Sequence, residues 1–159
     1  MYKHVLLSYD GSIEGLRALR EGAMLAKTCG ADVFLLSVVP MTAGTLIAET
    51  GDCGVVEAQN NEFRELLHRA VDRLKGLGIE PKARLVKGEP IPAIAAVAKE
   101  ISADLVVVGY KPEGMLARWW LGGSTQTYLC EQLKCTLLIA RNPISDEAFD
   151  AHAKQLATA

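Results

Sequence analysis

Short unbroken apolar runs alternate along the chain with stretches whose apolar residues recur every three or four positions. "HVLLSY" (His4 to Tyr9) reads as a buried strand. From Ile13 to Cys29 the apolar positions Ile13, Leu16, Leu19, Ala23, Met24 and Ala26 fall at helical spacing, and Gly30 supplies the stop. "DVFLLSVV" (Asp32 to Val39) predicts a second strand ended by Pro40, and Met41 to Gly54 reads as a loop. A long helix follows at roughly Val56 to Leu77, with Phe63, Leu66, Leu67, Ala70, Val71 and Leu74 as its apolar stripe. "KARLVK" alternates only in part and predicts a less buried third strand.

"GEPIPAIAAVAKEIS" predicts a well-buried helix opened by prolines, which cost little in a first turn because the missing N–H has no helical partner. "DLVVVG" has the continuous Leu and Val run of a central parallel strand covered on both faces. "STQTYLCEQLK" predicts a last helix and "TLLIAR" (Thr136 to Arg141) a fifth strand. Asn142 to Ala159 is polar, with a short helix suggested at Asp146 to Leu156. This alternation predicts a doubly wound α/β sandwich of three layers around a parallel sheet. Residues 1–143 would form one domain and 144–159 a polar tail. In such sheets ligands bind beyond the carboxyl ends of the strands, where the strand order reverses. The loops to inspect are therefore "YDGS" after the first strand and "GYKPEGMLARWWLGGST" after the fourth.

Composition narrows the partners. The chain has 159 residues, half of them apolar, and a formal net charge of −2. It shows no clustered Lys and Arg of the kind nucleic acid requires, and no apolar run approaches the ~20 residues of a membrane span. The N-terminus reads as a strand rather than a signal peptide. Cys29, Cys53, Cys130 and Cys135 are widely spaced and read as free thiols of a reducing cytoplasm.

The glycine-rich loop does not fit the common phosphate motifs. Gly109 and Gly114 have the P-loop spacing, but Met115 and Leu116 stand where Lys and a hydroxyl are needed. The Rossmann glycine pattern is absent, and the three histidines have no metal-ligand spacing. One signal survives: Gly122, Gly123 and Ser124 immediately precede the last helix. A helix N-terminus offers free N–H groups and a partial positive charge to an anion. Equally, Ser124 can be an ordinary N-cap after a glycine turn. Trp119 and Trp120 can pack a core or an interface, or cover a ligand.

In the order of "YDGS", "GEP", "ADLVVVG", "GGST" and "TLLIAR", residues 3 to 141 resemble the universal stress protein family. The resemblance implies the strand order 3-2-1-4-5 and commonly a homodimer. Many members bind ATP, and a large branch does not. The ATP-binding branch carries G-x2-G-x9-G-[ST] after the fourth strand. Gly109 matches the first glycine, and Gly123 and Ser124 the closing pair. Pro112 stands three after Gly109, Gly114 comes two later, and the Gly109–Gly123 spacing is one residue longer than the family's. Proline there also removes an N–H that could hold phosphate.

By the same resemblance Asp10, preceded by Ser8 and Tyr9, matches the aspartate that faces adenine and ribose. Val38 matches the position whose backbone meets the adenine edge. The implied site places Gly109, Gly114, Gly123, Ser124 and Thr125 on the phosphates of ATP, with or without Mg²⁺, and Asp10 on the adenosine. Asp10 or Ser12 can alternatively cap the first helix. No residue set for efficient hydrolysis is visible, so any ATPase activity would be slow. The alternative is a regulatory dimer of the same family without nucleotide, its pocket filled by the tryptophans and Met115. "TLLIAR" carries no charge before Arg141, so as a bare edge strand it would invite pairing with a second copy.

Overall fold

The computed structural model describes residues 1–41, 53–110, 131–141, 145, 147–149 and 151. Along the chain run β1 (His4–Ser8), α1 (Ile13–Cys29), β2 (Asp32–Pro40), α2 (Cys53–Gly76), β3 (Lys82–Gly88), α3 (Pro90–Glu100), β4 (Leu105–Gly109) and β5 (Thr136–Ala140). The five strands form one sheet in the order β3-β2-β1-β4-β5, and each adjacent pair is parallel. Both the architecture and the strand order match the sequence expectation.

Alternation along the strands divides the core into two layers. Val5, Leu7, Val33, Leu35, Leu105 and Val107 point to one face, where they meet Ala18, Leu19 and Ala23 of α1 and Ala70 and Leu74 of α2. Leu6, Leu36, Val106 and Val108 point to the other face and meet Ile91, Ile94, Val97 and Ala98 of α3. The central strands β1 and β4 are therefore buried on both sides, which explains their continuous apolar runs. β3 lies at an edge and is partly exposed, which explains its broken alternation.

Helix ends follow local chemistry. Ser12 caps α1, its hydroxyl oxygen accepting from the Gly15 N–H at 3.0 Å. Gly30 closes the same helix in the left-handed region at φ 62°. Lys27, in the last turn of α1, donates from Nζ to the Leu77 carbonyl at 2.9 Å and ties α1 to the end of α2. In the tail, residues 147–149 and 151 are helical; the Ser145 hydroxyl oxygen accepts from the Ala148 N–H at 3.2 Å. Phe149 is buried, its ring 5.5 Å from the Arg20 guanidinium on α1.

Strand order sets the position of the site. From β1 the chain builds outward through β2 and β3, then returns to β4 on the other side of β1. The reversal leaves a crevice between β1 and β4 at their carboxyl ends, the usual ligand position in open parallel sheets.

Candidate functional site at the strand reversal

A cavity of about 300 Å³ occupies this crevice. Its size falls at the small end of the range for small-molecule sites. Ser8, Tyr9, Asp10, Val38 and Gly109, all singled out from the sequence, line it together. Ser12, the N-cap of α1, and Gly15 in its first turn also line the cavity. Pro40, Phe63, Pro90, Ile91, Ile94 and Val108 supply an apolar wall. Gly114, Gly123, Ser124 and Thr125, with Pro112, Met115, Trp119 and Trp120, lie outside the described residues.

Asp10 sits in a tight turn between β1 and α1. The Ser12 N–H (3.0 Å) and the Ser12 hydroxyl (2.5 Å) both donate to Asp10 Oδ1. Between them, Gly11 adopts φ 81°, a left-handed backbone that glycine takes without steric cost. Ser12, rather than Asp10, caps the helix, and Asp10 orients the cap. The turn is anchored to β2: the Tyr9 N–H donates to the Leu36 carbonyl at 2.9 Å, and the buried Ser37 hydroxyl donates to the Tyr9 carbonyl at 2.7 Å.

The Tyr9–Leu36 bond also orients Val38. In a parallel strand each residue directs its N–H and C=O to the same side, and alternate residues face opposite neighbours. The Leu36 carbonyl faces β1, so the peptide groups of Val38 face that side too. β1 ends at Ser8, whose partner is Leu36, so Val38 faces the gap past its end. Val38 thus presents main-chain polar groups on the cavity side of β2.

Gly109 has a reason of its own. A Cβ at this position would run into the Glu14 carbonyl and come 2.8 Å from the Gly15 nitrogen. The first turn of α1 therefore packs against the end of β4, and this contact alone accounts for glycine at 109.

The wall from α3 is apolar at a helix N-terminus. Glu89 makes no side-chain cap bond there, and Pro90 occupies the first turn. Proline removes an N–H that could meet an anion, so this end suits an apolar or aromatic group. Among the described lining residues there is no Lys, Arg or His, and no group of three potential metal ligands occurs among the described residues.

From the sequence, Ser12 reads only as a candidate cap within the "YDGS" loop, and Gly15, Phe63 and Pro90 only as helix positions. Gly15 carried a signal: a glycine inside a helical pattern often has a packing reason. Phe63 and Pro90 read as stripe and helix start, and only the tertiary arrangement brings them together. Elsewhere, Cys29 and Cys135 are free thiols, and burial followed by the Asp104 charge pushes the Cys135 thiol up. No helix among the described residues is long and apolar enough to cross a membrane.

An open parallel sheet with a cavity at its reversal point defines a doubly wound α/β protein. The model of the universal stress protein family matches residues 1–141, and the chain belongs to that family. Universal stress protein Rv1636 of Mycobacterium tuberculosis is 30% identical over 118 residues, covering 68% of this chain and 75% of that protein. Universal stress protein MJ0531 of Methanocaldococcus jannaschii is 24% identical over 144 residues, covering 90% and 84%. A solved universal stress protein in complex with cAMP superposes with a TM-score of 0.68 at 25% identity, covering 89% of this chain and 99% of that one.

Proposed function

We propose that this chain binds an adenine nucleotide, ATP in the first instance, in the cavity between β1 and β4, and serves a regulatory or stress-response role. One observation carries the reading: the Asp10 carboxylate and the main-chain groups of Val38 border the same cavity, opposite an apolar wall. Such a wall takes the faces of a purine, Val38 its edge, and Asp10 the amino group or ribose hydroxyls. The phosphates would leave past Gly109 toward Gly114, Gly123, Ser124 and Thr125, with Mg²⁺ bound to them where a triphosphate is held. The cAMP complex of the relative supports the same ligand class.

The nucleotide acts as a ligand rather than a substrate, and any hydrolysis is slow. To regulate, it must bind two conformations, or two assembly states, with different affinity. The protein works in the reducing cytoplasm as a homodimer paired through β5. The tail, 144–159, is an appendage to the binding domain, 1–143. The Gly109–Glu14 contact favours the second reading, a regulatory dimer without nucleotide, because it removes one argument for a phosphate loop.

Native mass spectrometry of freshly purified protein tests both parts at once. The reading predicts the mass of two chains with an adenine nucleotide on each. A nucleotide-free dimer that also takes up none from millimolar ATP supports the second reading.

A further inference from the structure

Asp10 does not hold its orientation alone. Its Oδ1 lies under the first turn of α1, where it receives the Ser12 N–H and hydroxyl. The Ser12 oxygen in turn accepts from the Gly15 N–H. A Cβ at position 15 would lie 2.6 Å from Asp10 Oδ1, 3.2 Å from Ser12 Oγ and 3.3 Å from Tyr9 Cδ2. A carbon that close to a carboxylate oxygen is not tolerated, so one of the two must move. The Glu14–Gly15 peptide also lies close to Gly109, where a Cβ would run into the Glu14 carbonyl and the Gly15 nitrogen.

We infer that Gly15 is a positioning residue for ligand recognition: by lacking a side chain it lets the Asp10 carboxylate lie against α1, with Ser12 fixing its plane. The inference rests on the adenine-nucleotide reading for the ligand, but its geometry stands without it. Position 15 is otherwise a poor place for glycine, since glycine weakens a helix relative to alanine. The helix accepts that weakness where the carboxylate needs the space.

A double-mutant cycle tests this. Gly15→Ala, Asp10→Ala and the double variant are compared with the wild type in urea unfolding and in adenosine titration. With Asp10 present, Gly15→Ala is expected to lower the unfolding midpoint and to weaken adenosine by about tenfold or more, as for a lost hydrogen bond to a charged group. With Asp10→Ala, the same substitution is expected to raise the midpoint and to cost no further adenosine affinity. Asp10→Ser, which keeps a short acceptor for the Ser12 N–H, replaces Asp10→Ala if that variant does not fold.

Additive effects of Gly15→Ala in both backgrounds on the unfolding midpoint would overturn the inference, because a merely structural glycine does not depend on the carboxylate. A wild type that binds no adenosine sinks the nucleotide reading instead, and the unfolding cycle still decides whether Gly15 positions Asp10.

Discussion

Gly109, the last residue of β4, lies directly against the Glu14 carbonyl in the first turn of α1. A position that matches a phosphate glycine of the family is thus demanded by the packing of helix on strand. Gly109→Ala is expected to destabilise the protein by ~1–3 kcal/mol, the usual cost of overpacking. Urea unfolding without nucleotide measures it. An unchanged midpoint would mean that the turn yields freely and that glycine at 109 serves some other purpose.

β1, α1, β2 and β4 announced themselves by runs and spacing, because elements buried on one or both faces leave a periodic apolar record. β2 extends to Pro40, one residue beyond the sequence expectation, because Pro40 pairs with Gly88 and needs no N–H to do so at that end. α2 starts at Cys53, inside the stretch read as a loop, since its first residues carry no periodic stripe.

In the site, Asp10 and Val38 were found by resemblance, and main-chain geometry supplies the reason for Val38. Gly15 and Gly22, two turns apart on one face of α1, were counted simply as helix. Both face structure that a methyl would strike: Asp10 for Gly15, Leu7 and Val107 for Gly22. A glycine inside a helical pattern signals some close approach, but close approach between chain segments leaves no periodic mark, so the partner atoms could not be read from the sequence.

Pairing through β5 can now be tested at the right residue. The Thr136 N–H donates to the Asp104 carbonyl, and the Ala140 carbonyl accepts from the Tyr110 N–H, so Thr136, Leu138 and Ala140 face β4. The outward groups are those of Leu137 and Ile139, and Ile139 is 39% exposed. Ile139→Pro removes an outward N–H of β5 and is expected to give a folded monomer, whereas a proline at Leu138 would remove an N–H that faces β4. Sedimentation as a dimer would move the interface away from β5.

Cys135 provides a pH-dependent observable. Burial raises its thiol pKa, with the Asp104 charge adding to the effect. The folded state therefore favours the protonated thiol, and this contribution is fully present below the unfolded pKa. It is lost as the pH rises through the higher folded value. Alkylation of Cys135 by iodoacetamide at pH 8.5, followed by peptide mass spectrometry, is expected to be slower in the native protein than in urea. Equal rates would place the thiol in open water.

On the proposed reading, Asp10 recognises the adenine nucleoside in the cavity between β1 and β4. Isothermal titration of the wild type and Asp10→Ala with ATP, and with inorganic triphosphate, tests it most directly. The wild type is expected to bind one ATP per chain. Asp10→Ala is expected to lose ~1.5–3 kcal/mol toward ATP, the value of a hydrogen bond to a charged group, while its affinity for triphosphate barely changes. Absence of heat with the wild type at millimolar ATP and Mg²⁺, or equal losses for both ligands, would rule out that role for Asp10.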